Sequence, residues 1–402
     1  MELVLTITNL ILAIIMAGIF GVWVYFLAYM TKSFRQSPML ESLDRTSIRR
    51  FPQVSVILPA RNEDLYIARC LDSLLGQDYP NFEIIAINDS STDRTGEIIK
   101  AYAAKDSHII HIDATPKPEG WTGKNWACYQ GYLHAQGELL MFTDADSKHL
   151  SSAMSLAVGH LVSQNLDALT AVPRLICNDF WTKMTLPVLA TFLHTRFSPI
   201  RVNDPNTKTG YFFGSFFLIT RSTYEAVGTH EGVKEELVED GALGGKVKAS
   251  KFRMKMLRGE NQIDAVWARD LQTLWQGLRR FMIPVYSQDK VDAYMMVTAV
   301  FFILFAPFVS LPYLLVASFA GNLSFPILLG LQVSTIALIM ITIAAQCRLA
   351  IFENPLYAFA APLSGTLISF SFISAIADAK KKGAVSWRDR KYTITKNQNP
   401  LA

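Results

Sequence analysis

Charged residues are absent from three long stretches of this chain, and their absence sets its coarse plan. Residues 3–31, the interval between Asp292 and Arg348, and the interval between Glu353 and Asp378 contain no Asp, Glu, Lys or Arg. A bilayer core takes about 20 apolar residues of helix. The first and third stretches are therefore long enough for one span each, and the middle one for two, divided at Gly321-Asn322. Long buried helices of a soluble core are a poor alternative for uncharged runs of this length. Between Phe51 and about Asp264 short apolar runs alternate with helical ones. Residues 54–58, 82–87, 108–112 and 138–143 read as strands. Helices are expected over 64–75 and 95–104, and another opens at Gly123-Lys124. Continuous β-branched runs joined by helices describe parallel strands covered on both faces. The expected class is α/β, a Rossmann-like nucleotide-binding sheet with one N-terminal and about three C-terminal transmembrane segments.

Charge refines this plan. The first apolar run is about twice the length of a signal-peptide core and has no basic residue before it, which predicts an anchor rather than a cleaved leader. Lys32, Arg35, Arg45, Arg49 and Arg50 follow it. The positive-inside rule then puts the polar domain in the cytoplasm, at the cell membrane. The expected divisions are an anchor (1–31), a basic linker (32–50), the α/β domain (51–263), an interfacial helix (264–290), a membrane region (291–378) and a basic tail (379–402). Residues 264–281 place Trp267, Leu271, Leu274, Trp275, Leu278 and Met282 on one stripe, as in a helix lying in the interface plane. Three spans after a cytoplasmic domain would leave the tail outside, yet Lys380-Lys381-Lys382, Arg388, Arg390 and Lys391 look like an inside tail. Pro362 and Gly365 permit a re-entrant hairpin in the last apolar segment instead. The net charge of +4 is too small for a nucleic-acid partner, and basic clusters beside apolar runs suit anionic headgroups. The four cysteines have no CxxC spacing, which argues against zinc and a disulfide framework and fits a reducing compartment.

Ligands of such sheets sit beyond the carboxyl ends of the strands. Pro59-Ala60-Arg61-Asn62-Glu63 follows the first strand, Asn88-Asp89-Ser90-Ser91-Thr92-Asp93 the second, and Asp144-Ala145-Asp146 the fourth. A lone Asp-x-Asp is weak, since a solvated turn or a helix cap also produces it. Here it ends an apolar strand, and two carboxylates one residue apart suit Mg²⁺ or Mn²⁺ against substrate phosphates. Asp93 before a helix reads as a cap, and Asp89 as a ligand contact. Gly123-Lys124 at a helix start favours phosphate, with Trp121 and Trp126 flanking it. Asp240, before Gly-Ala-Leu, is a candidate base and equally a good helix cap. His230 is the one histidine read as a further metal or phosphate contact.

Taken in order, these strand ends resemble the family 2 glycosyltransferases of GT-A fold. The resemblance rests on 56–63, 87–93, 142–146 and Glu239-Asp240, and spans about 51–284. Glu119-Gly120-Trp121-Thr122-Gly123-Lys124-Asn125-Trp126-Ala127 and Trp387-Arg388-Asp389-Arg390-Lys391-Tyr392 look like the membrane subgroup that includes hopanoid-associated and carotenoid-acid glycosyltransferases. The tail carries Asp389 where that subgroup has Gly. The resemblance implies an inverting, non-processive transferase using a nucleotide diphosphate sugar, most often UDP-linked, and an isoprenoid-type lipid acceptor. It implies nucleotide-sugar contacts from Pro59, Arg61, Glu63, Asp89, Lys124 and Asp144. Asp144 and Asp146 would hold the metal, Asp240 would be the base, and Gly214, Ser215 and Glu239 would lie on the acceptor side. Gln276-Gly277-Leu278-Arg279-Arg280 is similar to the Gln-x-x-Arg-Trp motif of processive synthases with Arg280 in place of Trp. Arg279 or Arg280 would steady the diphosphate. A processive polysaccharide synthase would need that Trp and more spans. A non-catalytic scaffold would be expected to have lost some of Asp89, Asp144, Asp146 and Asp240, and all four are present.

Overall fold

The computed structural model describes residues 2–43, 51–319, 324–382, 384–387 and 390–393. Arg45, Arg49, Arg50, Gly321-Asn322 and Arg388-Asp389 lie outside the described residues. The chain divides into two units, one built of Met1–Arg35, Cys177–Arg196 and Ala268–Ile394, the other of Gln36–Ile176 and Phe197–Trp267.

Helix α1 (Glu2–Gln36) comes first. The α/β unit then runs β1 (Val54–Ala60), α2 (Ile67–Leu75), β2 (Phe82–Asn88), α3 (Thr95–Ala103), β3 (Ile109–Asp113), α4 (Gly123–His134) and β4 (Leu139–Phe142). It continues through β5 (Ser147–His149), α5 (Ala153–Ser163), β6 (Ala168–Val172) and β7 (Arg174–Cys177). After α6 (Phe180–Phe197) come α7 (Pro199–Val202), β8 (Phe217–Thr220), α8 (Arg221–Ala226), α9 (Glu239–Ala249), β9 (Met254–Arg258) and β10 (Ile263–Ala268). Seven strands form one sheet in the order β3-β2-β1-β4-β8-β6-β9. Pairing is parallel except at β8, which runs antiparallel to both β4 and β6. Strands β5, β10 and β7 make a separate small sheet.

The apolar runs are continuous because both faces of the sheet are covered. Val56 and Leu58 of β1 point into one core with Leu71, Leu74, Ile99 and Leu161. Ile57, between them, points into the other with Ile87, Leu140, Ala127 and Leu243. Helix α4 approaches that second face closely, since a Cβ on Gly131 would stand 2.7 Å from Ile87 and 2.8 Å from Ile57.

Residues 37–43 fall within the expected linker, yet they are part of this unit. The Arg258 amide donates to the Pro38 carbonyl at 2.8 Å, and His160 Nε2 lies 2.9 Å from the Leu40 carbonyl. Leu40 is fully buried in the core that holds Val56 and Leu58.

The other unit is helical. It adds α10 (Leu271–Gln288), α11 (Lys290–Val309), α12 (Leu311–Ser318), α13 (Ser324–Gln346) and α14 (Ala361–Lys382), then a hairpin of β11 (Ala384–Trp387) and β12 (Arg390–Thr393). Among the described residues four segments are long and apolar enough to cross a membrane: Ile7–Gln36, Lys290–Ser318, Pro326–Ile351 and Pro355–Lys380. The last apolar segment is one continuous helix from Ala361, led in by a 3-10 turn over Pro355–Ala360, and not a hairpin. The expected interfacial helix is also corrected. Residues 263–268 form β10, with Asp264 paired to Arg174 at 2.7 and 2.8 Å. The helix begins at Leu271 behind an Asp270–Thr273 capping box. Its stripe of Leu274, Leu278 and Met282 is buried, and α10 packs on α11 and α14. A helix-period stripe marks a covered face and does not say whether lipid or protein covers it.

Leu40→Ala is expected to destabilise the α/β unit by about 2–5 kcal/mol. Denaturation of the detergent-solubilised full chain followed by tryptophan fluorescence would measure it, and a neutral result would show that the 37–43 segment is dispensable to the core.

Candidate active site

The loops after β1 and β2 are tied to each other. Asn62 and Ser90 both take left-handed backbone, with φ of 54° and 53°. The Asn62 amide donates to Ser91 Oγ at 3.1 Å, and Asn62 Oδ1 accepts from the Thr92 amide at 2.9 Å. The Glu63 amide donates to Thr95 Oγ1 at 2.7 Å, and the Asp64 amide to Asp93 Oδ2 at 3.1 Å. Asp93 Oδ1 also accepts from the Thr95 amide at the start of α3 (2.9 Å), the capping role expected of it. Burial would raise the Asp93 carboxyl, but bonds from Thr95 and Asp64 hold it below the usual range. Arg61 Nη1 donates to the carbonyls of Asp89 (2.7 Å) and Ser90 (2.9 Å). Glu63 and Asp89, both buried, are thus carried on a cross-braced pair of loops, with Pro59 just inside β1.

Asp144 and Asp146 follow β4 and are half-buried. The Asp146 carbonyl accepts from Arg69 Nη2 at 2.9 Å, and the Asp144 carbonyl lies 3.7 Å from the Cys70 thiol. Burial first, then the charges of Asp146, Asp144 and Glu63, push that thiol far up against the opposing pull of Arg69. Cys70, on α2, therefore marks a point on which carboxylates from two strand ends bear.

Helix α4 supplies the cation. Thr122 caps it, accepting from the Asn125 amide at 3.4 Å. Trp121 packs on Trp126 and Tyr129, and Trp126 Nε1 donates to the Thr115 carbonyl at 3.0 Å. Lys124, in the first turn, places Nζ 2.7 Å from Asp144 Oδ1 and 2.6 Å from Glu239 Oε1. Burial alone would lower this ammonium, but Asp144, Glu239 and Asp240 outweigh it and hold the group protonated, well above the ordinary lysine range. Its charge is thus engaged by carboxylates, where the sequence pattern pointed to phosphate.

Asp240 sits in the first turn of α9, where the helix dipole favours a carboxylate. Its Oδ2 accepts from the Gly214 amide at 2.7 Å and its Oδ1 from the Gly241 amide at 2.8 Å. A Cβ on Gly214 would lie 2.8 Å from Asp240 Oδ2, 3.0 Å from Lys124 Nζ and 3.1 Å from Asp144 Oδ2. Three charged groups from β4, α4 and α9 meet at that missing side chain. Only a glycine fits between α9 and residues 211–212 at Gly244, whose Cβ would stand 2.6 Å from the Phe212 amide nitrogen.

Lys124, Asp144, Glu239, Asp240 and Gly214 are therefore brought together, while Glu63 is buried on the loop after β1 and Asp146 lies two residues beyond Asp144. The Ser215 carbonyl accepts from Thr143 Oγ1 at 2.8 Å, behind the cluster. Arg279 belongs to the helical unit, where it pairs with Asp378, and Arg280 follows it in α10. His230 is fully buried, with Nδ1 2.6 Å from the Tyr224 hydroxyl, in a packing position. Sequence reasoning passed over Asn125, Cys70 and His149. Only Asn125 had a signal, its place beside Gly123-Lys124.

Among the described residues no group of three or more His, Cys, Asp or Glu stands ready to hold a metal ion. Asp144 and Asp146 nevertheless suit a hard divalent cation. Mg²⁺ is commonly bound by one or two carboxylates, with water and substrate phosphate completing its shell.

A mixed sheet of this order with acidic strand ends is the GT-A fold. The mannosyltransferase PcManGT from Pyrobaculum calidifontis, solved in complex with GDP-Man and Mn2+, superposes with a TM-score of 0.51 at 18% identity, covering 91% of this chain and 98% of that one. Residues 55–228 match the family described as Glycosyl transferase family 2, and the chain is a glycosyltransferase. Over 349 residues it is 25% identical to the 4,4'-diaponeurosporenoate glycosyltransferase of Staphylococcus aureus, spanning 86% of this chain and 89% of that protein.

Burial lowers His149 to about 4, against its bond to the Ser215 carbonyl and the charge of Asp264. Burial and then Lys124 lower His230 to about 3. A depressed histidine means that the unfolded chain takes up a proton, near pH 6.5, that the folded chain refuses. Stability is expected to be full above that pH and to fall as pH drops toward 4. Melting temperatures from pH 7.5 to 4.5 should show the decline, and His149→Gln should make it shallower.

Proposed function

We propose that this glycosyltransferase is inverting, metal-dependent and non-processive, moving a sugar from a nucleotide diphosphate sugar, a UDP-sugar, to an isoprenoid-type membrane lipid. The observation that carries this reading is the meeting of Lys124, Asp144 and Asp240 around the bare Gly214 backbone. Donor-side and acceptor-side groups there stand within a few ångströms of one another.

On this reading Asp89 and Glu63, with Pro59 and Arg61, receive the nucleoside, whose ribose hydroxyls can each donate to a carboxylate. Asp240 accepts the proton of the acceptor hydroxyl as that oxygen bonds to the anomeric carbon. The bond from that carbon to the diphosphate oxygen breaks on the opposite side, and the nucleotide diphosphate leaves with the electron pair. A Mg²⁺ or Mn²⁺ on Asp144 and Asp146 would neutralise charge on the departing group. Lys124 contributes a further fixed positive charge there. Gly214, whose missing side chain lets Lys124, Asp144 and Asp240 converge, and Ser215 stand on the acceptor side on this reading. The apolar helices and the similarity to an enzyme named for 4,4'-diaponeurosporenoate favour a lipid-like acceptor. Lys32 and Arg35 at the end of α1 favour a cytoplasmic catalytic unit at the cell membrane.

Membranes carrying the protein, given labelled nucleotide sugars with Mg²⁺ or Mn²⁺, are expected to yield label in an extractable small lipid. Label confined to an insoluble polymer would indicate a processive synthase instead. Asp240→Asn should abolish transfer and leave UDP affinity nearly unchanged, and full activity in that variant would remove Asp240 from the reaction. Asp146→Ala should weaken metal-dependent UDP binding, measured by calorimetry with and without chelator. An unchanged affinity would rule Asp146 out as a ligand.

A further inference from the structure

The base proposed above stands at the start of a helix, and what fixes that start is a different helix. Asn125, fully buried in the first turn of α4, donates from Nδ2 to the Val233 carbonyl at 2.6 Å and to the Glu236 carbonyl at 3.2 Å. The Thr122 amide donates to the Lys234 carbonyl at 2.7 Å. These three bonds hold residues 233–236, the segment that leads into α9. One residue away, Lys124 holds the Glu239 side chain at 2.6 Å. Glu239 is itself buried. The first turn of α4 therefore grips the entry to α9 twice, once by backbone and once by an ion pair, on either side of Leu237 and Val238.

We propose that Asn125 and Glu239 are positioning residues for Asp240, forming with Lys124 a clamp that sets its carboxylate against the donor end of β4. Glu239 then works through Lys124 and does not contact the acceptor. The physical reason lies in the local chain. Val238, the residue before α9, has φ −120° and ψ 69° and caps nothing with its side chain. The approach to α9 has no side-chain cap of its own, so its placement comes from α4. The buried Asn125 amide replaces the hydrogen bonds that the Val233 and Glu236 carbonyls would otherwise take from water. A base displaced by about 1 Å can lose about a hundredfold in rate while binding groups elsewhere keep their geometry.

This inference rests on Asp240 being the base, and the test separates the two. Asn125→Leu keeps the volume and removes both donors. With the donor that labels lipid best, kcat per UDP-binding molecule is expected to fall by about ten- to a hundredfold. UDP affinity with Mg²⁺, and the amount of total lipid extract giving half-maximal rate, should stay within about twofold. Glu239→Gln, whose amide oxygen still accepts from Lys124, should retain more kcat than Glu239→Ala. Wild-type kcat in Asn125→Leu would overturn the clamp. So would equal kcat in the two Glu239 variants, or a raised lipid requirement at unchanged kcat, which would make Glu239 an acceptor contact. Should Asn125→Leu not fold, the Glu239 pair decides alone. Full activity of Asp240→Asn would sink the underlying assignment instead, whatever the clamp variants do.

Discussion

A single ammonium group between carboxylates from distant parts of the chain is the constraint on which this charged cluster depends. Two like charges about 4 Å apart repel by about 4 kcal/mol at an effective dielectric of 20. Asp144, Glu239 and Asp240 would incur such costs if they met unaided. Lys124 bonds two of them directly and stands beside the third. The amides of Gly214 and Gly241 and the dipole of α9 complete the compensation at Asp240. The close approach of α9 to residues 211–212, which only a glycine at 244 permits, then becomes affordable to the fold.

The helical unit meets a different constraint, because a buried backbone group without a partner is costly. Pro307 in α11 has no amide hydrogen to give the Ile303 carbonyl. That carbonyl accepts from Trp23 Nε1 at 3.2 Å, so the defect in one helix becomes a bond to α1. Gln332 in α13 donates to Ser310 Oγ at 2.8 Å and to the Pro307 carbonyl. Thr335 and Thr342 return their hydroxyls to carbonyls one turn back, at 2.8 Å each. Trp23 and Gln332 thereby tie helices together, and the hydroxyls of Thr335 and Thr342 are absorbed locally.

Much of the fold was legible because buried parallel strands and spanning helices each leave a plain apolar signature. Strands β1 to β4 lie where their runs predicted them, and the four long apolar helices match the uncharged stretches. Strand β10 was misread because Trp267, Leu271 and Leu274 continue a helical period across a strand end, a turn and a helix start. Pattern does not show where Asp270 stops one element and caps the next. At the site, Asp144, Asp240 and Gly214 were legible as types suited to a chemistry, and Lys124 as a cation at a helix start. That Lys124 would face Asp144 and Glu239 was not. Ion pairs between elements this far apart in sequence follow from packing, which spacing does not encode. Asn125 stood out only by its place beside Gly123-Lys124, since its partners are main-chain carbonyls that carry no residue identity.

The bridge from Met39 to Arg258 has a further consequence for how the protein is made. During synthesis Met39 emerges long before Arg258, so the strand that pairs with it is among the last parts of the α/β unit to be made. Leu40 can begin to pack once β1 and α5 are made, but the bond from the Arg258 amide to the Pro38 carbonyl must wait. Closing so distant a contact is slow, so completion of the catalytic unit is timed by the arrival of β9. A nascent chain stalled before Arg258 holds strands β1 to β8 without the one that pins residues 38 and 39.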